Sequence, residues 1–127
     1  MQYTILLVED DERVRQFALE ALRELGYRVI EADGAARAMT HLTTEAQIDL
    51  LLTDIVMPET NGRQLAEQAL RVRPDLAVLY MTGFTRNAVV HNGMLDPGVN
   101  FLPKPFTIDQ LAAKVREAIQ GANGLKV

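Results

Sequence analysis

The chain has 127 residues, 48% of them hydrophobic and 24% charged, with 17 acids against 13 bases and a formal charge of −4. That length suits one domain with its own core, the balance is that of a globular protein rather than a disordered or coiled-coil one, and no Lys/Arg run is present to neutralise a row of phosphates, so direct nucleic-acid binding is not expected. Zero cysteines exclude disulfides and thiol catalysis, and with no membrane-length apolar run or signal pattern the chain reads as soluble and cytoplasmic.

Thr4 to Val8 is a continuous apolar run that stops at Glu9-Asp10-Asp11-Glu12, the pattern of a strand buried on both faces. Val14, Phe17, Ala18, Ala21, Leu22 and Leu25 then recur at spacings of three and four, predicting an amphipathic helix that ends near Gly26. Tyr27 to Glu31 predicts a second strand. Asp33 is placed to cap a second helix, from Gly34 to Leu42, that turns Ala35, Ala38, Met39 and Leu42 inward.

A third strand is expected from Asp49 to Thr53, delivering Asp54 to a loop through Met57, Pro58, Asn61 and Gly62. Asn61 is a suitable cap for a helix carrying Leu65, Ala66, Ala69 and Leu70, which must end before Pro74. Ala77 to Thr82 is the fourth strand. From Thr85 to Gly98 the pattern is broken by Asn87, Asn92, Gly93, Pro97 and Gly98, which leaves one short helix to about Val90 and then loop. Val99 to Leu102 is the fifth strand, cut off by Pro103-Lys104-Pro105. Thr107 with Gln110 makes a capping box before Ile108, Leu111, Val115 and Ile119, which run at helical spacing to Gly121.

Five strands alternating with five helices predict an α/β domain with a five-stranded parallel sheet covered on both faces. The domain spans residues 1–121, and residues 122–127 form a tail.

In such a sheet ligands bind outside the carboxyl ends of the strands. Strand one ends in Glu9 and Asp10, strand three in Asp54, strand four in Thr82 and strand five in Lys104. Three clustered carboxylates repel one another and call for a cation, and an all-oxygen set without nearby His or Cys favours Mg²⁺. Mg²⁺ on one or two carboxylates commonly handles a phosphoryl group, for which Lys104 and Thr82 offer a charge and a donor. Asp54 is then a possible carboxylate nucleophile.

Val8-Glu9-Asp10, Thr53-Asp54-Ile55-Val56-Met57-Pro58 with Gly62, Met81-Thr82-Gly83 and Lys104-Pro105-Phe106 resemble the motifs of a receiver domain of two-component response regulators. The resemblance runs from about Ile5 to Ile119, and its weak fourth-helix region is similar to that of receivers attached to hybrid sensor histidine kinases. It implies the flavodoxin-like strand order 2-1-3-4-5. It further implies Asp54 as phosphoacceptor, Asp10 as direct Mg²⁺ ligand, Glu9 as its acidic neighbour, and the Val56 main-chain carbonyl as another ligand. Thr82 and Phe101 match the family's switch residues, and Lys104 the phosphate-pairing lysine, its bond to Pro105 often cis.

The resemblance implies a phosphodonor that is a histidine kinase or histidine phosphotransfer domain, with a parent hybrid kinase as one context. Asp10-Asp11 is a second way to choose the acidic pair, with the position directly after the strand favouring Glu9-Asp10; Asp11 then falls in the first turn of helix one. Val56 and Phe84 are apolar where they flank the phosphorylation site, which predicts slow hydrolysis. Dimerisation through the breaker-rich fourth-helix face is not expected, leaving a monomer or weak dimer.

Phe101 is equally readable as plain core, since it has no hydroxyl to bond outside. His41 and His91 read as surface residues, and the scattered methionines as filling. A phosphohydrolase that also uses an aspartyl-phosphate is a second reading, opposed by Val56 two residues beyond Asp54, where such enzymes carry a second aspartate. A receiver that binds partners without being phosphorylated is a third.

Overall fold

The computed structural model describes residues 2–45, 47–56, 61–83 and 100–124. In chain order the elements are β1 (Thr4–Val8), α1 (Glu12–Glu24), β2 (Arg28–Ala32), α2 (Ala35–Thr44), β3 (Leu50–Asp54), α3 (Gly62–Val72), β4 (Ala77–Thr82), β5 (Asn100–Pro103) and α4 (Ile108–Gly124). The helix expected between Thr85 and Val90 lies outside the described residues, as do Phe84, His91 and Val99; α4 is therefore the fifth helix of the sequence reading. The strands pair in parallel in the order β2-β1-β3-β4-β5, as the resemblance implied.

Alternation along the strands builds two cores. Ile5, Leu7, Leu50, Leu52, Ala77, Leu79, Met81 and Leu102 pack with α1 and α4. Leu6, Val8, Leu51 and Tyr80 pack on the other face with α2 and α3. All five residues of β1 and all five of β3 are buried, which is why these strands read as unbroken apolar runs. Each fully buried Leu among them contributes about 1.5–3 kcal/mol of transfer free energy.

Several local expectations shift. β3 includes Asp54, which pairs in register with Met81; the carboxylate is the last rung of the ladder, not the first loop residue. β2 begins at Arg28 rather than Tyr27. Asp33 does not cap α2: Gly34 occupies that place in extended conformation with no side-chain cap, and Asp33 pairs instead with Arg37 at 3.6 Å. The same helix runs two residues past Leu42, where the Thr43 and Thr44 hydroxyls donate to carbonyls of the preceding turn.

Asp11 is the N-cap of α1, accepting from the Arg13 N–H at 2.9 Å, rather than a first-turn residue. The buried stripe of α1 is Ala18, Leu19, Ala21 and Leu22; Phe17 and Leu25, expected inside, are exposed, as is Leu70 of α3. Gly121 does not end the last helix, because a glycine stops a helix by taking positive φ and among the described residues only Gly26 does so, at 94°. The last helix therefore continues through residues 122–124. The Thr107 capping box forms with both of its bonds, at 2.9 and 3.1 Å.

After β3 the chain returns tightly against itself. Val56 bridges Asn61 in antiparallel fashion, the Asn61 side chain caps α3 by accepting from the Gln64 N–H, and the Gly62 N–H donates to the Ile55 carbonyl at 2.7 Å. A Cβ on Gly62 would stand 2.2 Å from the Asp54 carbonyl oxygen, so only glycine lets α3 start this close to the end of β3. Gly62→Ala should therefore lower stability by about 1–3 kcal/mol, measured as a shift in urea midpoint; a midpoint equal to wild type would contradict the close approach.

Candidate functional site: an acidic rim bridged by Lys104

Parallel strands end at a common rim, and period-two alternation decides which face each terminal side chain joins. Leu7, Leu52 and Leu102 all belong to the α1/α4 core, and Glu9, Asp54 and Lys104 each lie two residues further on. The three therefore emerge on one side of the sheet. Thr82 follows Met81 and has the opposite parity, shared with Tyr80 and Phe101.

Lys104 Nζ lies 2.7 Å from Glu9 Oε2 and 3.2 Å from Asp54 Oδ2. The lysine's own N–H donates to the Thr82 carbonyl at 2.7 Å, and its peptide bond to Pro105 is cis. Glu9 is 1% exposed and Asp54 8%, so both carboxylates are held largely out of water. Glu9 Oε1 also accepts from the Asp11 N–H at 3.1 Å. Asp10 is exposed, yet one oxygen from each of Glu9, Asp10 and Asp54 falls within a 4.8 Å cluster.

Electrostatics make the rim a site in tension. Burial pushes the Glu9 carboxyl above its ordinary value and prevails over the Lys104 and Asp11 hydrogen bonds that oppose it; the Asp54 charge adds to the rise. For Lys104, burial pulls downward, but the Glu9 hydrogen bond and the charges of Asp54 and Glu9 reverse it, and the ammonium ends above the ordinary lysine value. Among the described residues, one ammonium meets two of the three clustered carboxylates. Like charges about 4 Å apart repel by about 4 kcal/mol at an effective dielectric near 20, which a divalent cation would relieve. The donors are all carboxylate oxygens, the set that suits a hard cation.

The remaining expected residues fall as follows. Thr82 closes β4 at the same rim and is 8% exposed. Val56 stands two residues beyond Asp54 and is 67% exposed. Phe101 is not in the carboxylate cluster: it is half-buried on the α2/α3 face, its ring 5.9 Å from that of Tyr80. Burial raises the Tyr80 hydroxyl above the usual tyrosine value. Among the features that escaped the sequence reading are the direct Glu9–Lys104 bond and the close approach of Gly62. Only the glycine had a signal, its place within the Asp54 motif.

Beside the rim, Arg13, Val14 and Phe17 of α1 and Lys104, Pro105 and Phe106 line a groove of about 530 Å³. Phe17, 43% exposed, meets Phe106 with ring centroids 5.9 Å apart.

A doubly wound five-stranded domain with an acidic rim and a lysine bridging it defines a class, and comparison with known proteins gives the family. The profile of the response regulator receiver domain matches residues 5–116. The chain is 38% identical over 118 residues to the response regulator receiver protein CpdR of Brucella abortus, covering 93% of this chain and 98% of that one. It is 35% identical over 118 residues to the sensor kinase CckA of the same organism, covering 92% of this chain but only 12% of the kinase. Among solved structures, the receiver domain of the hybrid histidine kinase CckA superposes with a TM-score of 0.74 at 34% identity, covering 92% of this chain and 99% of that one. The chain belongs to the response regulator receiver domain family, and is a receiver domain of two-component signalling. No helix among the described residues is long and apolar enough to cross a membrane.

Because the raised Glu9 value marks a fold that favours the protonated acid, the stability Glu9 contributes is complete below about pH 4.5 and is lost as pH rises through its folded value. Lys104→Met removes influences that hold this value down, so its stability should fall more steeply than that of wild type between about pH 4 and pH 8, by about 3 kcal/mol near neutrality. Parallel urea profiles for the two proteins across that range would contradict the ion pair.

Proposed function

We propose that Asp54 is the phosphoacceptor of this receiver, charged by a phosphohistidine on a histidine kinase or histidine phosphotransfer domain. The observation that carries the reading is the single ammonium of Lys104 bonded to both Glu9 and Asp54, beside an oxygen cluster fit for a divalent ion. The sensor kinase and response regulator among the relatives support a kinase as donor. The groove along α1, with an exposed phenylalanine beside the rim, suits a protein donor better than a small molecule alone.

Mg²⁺ would be held by Glu9, Asp10, Asp54 and the Val56 main-chain carbonyl, Glu9 acting largely through water. When bound, it neutralises charge on the transferring phosphoryl oxygens. An Asp54 carboxylate oxygen attacks phosphorus, the phosphorus–nitrogen bond breaks, and its electron pair stays on the donor imidazole. Lys104 leaves its carboxylate partner for a phosphoryl oxygen, and the Thr82 hydroxyl turns toward another. The added charge shifts the surface that runs from β4 through the expected fourth helix, which lies outside the described residues, and β5 to α4 between two packings, with Phe101 following Thr82. The working unit is residues 1–121, acting in the cytoplasm as a monomer or weak dimer and without touching nucleic acid itself. Val56 and Phe84 keep hydrolytic water from the aspartyl-phosphate.

Incubated with Mg²⁺ and acetyl phosphate, the chain should gain the mass of one phosphoryl group and lose it slowly; Val56→Asn should shorten that lifetime, and Asp54→Asn should stay unmodified. Equal labelling of Asp54→Asn would move the acceptor elsewhere, and a lifetime unaffected by Val56→Asn would remove the proposed shielding.

A further inference from the structure

We infer that Arg15 is a positioning residue for the divalent-cation site, holding the peptide unit that leads into Asp10 without touching the ion. The inference rests on the metal reading above. Arg15 lies in the first turn of α1, and its side chain is 15% exposed. Its Nη1 donates to the Glu9 main-chain carbonyl at 2.9 Å, and its Nε donates to Glu31 Oε1 of β2 at 3.1 Å. One planar guanidinium thus ties the β1 terminus to the neighbouring strand, a geometry suited to its rigid fork of donors.

Glu9 is pinned on both sides as a result. Its N–H donates to the Ala32 carbonyl at 3.2 Å, and its carbonyl is held by Arg15, itself anchored on the same strand. The carbonyl of Glu9 belongs to the peptide unit whose nitrogen is that of Asp10. Asp10 is the exposed member of the acidic cluster, so the aim of its carboxylate comes from the backbone beneath it. Freed of Arg15, that peptide unit can rotate and carry the Asp10 carboxylate away from Glu9 and Asp54.

Charge and position predict opposite signs. Removing a nearby positive charge should, on Coulomb grounds alone, tighten binding of a cation. Removing an outer support of a metal ligand typically weakens binding by 10–100-fold. The test is Mg²⁺ titration calorimetry on the whole chain, with urea unfolding of each variant in the absence of the ion.

Arg15→Met should weaken Mg²⁺ binding by about tenfold or more. Arg15→Lys should restore part of it, since one ammonium can bond the Glu9 carbonyl but does not reproduce the two-point fork. Glu31→Gln should give a smaller loss, and Arg13→Met, which removes the same charge from a side chain 92% exposed, none. Unchanged or tighter binding by Arg15→Met, with any loss confined to stability, overturns the inference. Should that variant fail to fold, wild-type affinity in both Arg15→Lys and Glu31→Gln overturns it equally. A wild-type chain that binds no Mg²⁺ overturns the metal reading, and this inference with it.

Discussion

The rim depends on one ammonium placed between two carboxylates that the fold has taken out of water. Lys104 comes from a turn held by the Thr82 carbonyl, Glu9 from the end of β1, and Asp54 from the last rung of β3. Taking Glu9 to 1% exposure is costly for an ionised acid, and burial raises the Glu9 value despite the opposing hydrogen bond and charge of Lys104. The sheet and the tight return at Gly62 hold these groups together against their mutual repulsion. Under the proposed function such a site would exchange partners, a divalent cation taking the carboxylates and a phosphoryl group the ammonium.

Strand alternation sorts the residues at the rim onto two sides of the sheet. Glu9, Asp54 and Lys104 share the parity of the α1/α4 core, while Thr82, Tyr80 and Phe101 share that of the α2/α3 core. Thr82 stands between the two sides: its carbonyl accepts from the Lys104 main-chain N–H, and it pairs with Pro103 in the β4–β5 register. In the proposed switch, a change in charge at Asp54 would reach Phe101 through β4 and β5, since Phe101 lies on the α2/α3 side. On that second side the Tyr80 and Phe101 rings pack with centroids 5.9 Å apart.

Much of this was legible because parallel strands buried on both faces leave long apolar runs, and because strand ends collect at one rim. β4 was read to the residue, and the carboxylates and lysine were placed together because parallel strands end at one rim. The errors are ones of local geometry. Asp33 looked like a cap, yet Gly34 takes that position. Phe17 matched a helical stripe, yet the stripe is rotated toward Leu19. Gly121 looked like a stop, yet its backbone stays helical. The Glu9–Lys104 bond and the reach of Arg15 were invisible, since both join residues distant in sequence through side-chain atoms that spacing does not report.

In the proposed function Glu9, Asp10 and Asp54 form one divalent-ion site whose charge Lys104 balances when the ion is absent. An anomalous difference map from a crystal of the chain soaked in Mn²⁺ tests this most directly. One peak bounded by Asp10 and Asp54, with the Lys104 ammonium moved from its resting partners, is the predicted result. No peak at the rim, or a peak elsewhere with the Lys104 ion pairs undisturbed, would contradict it.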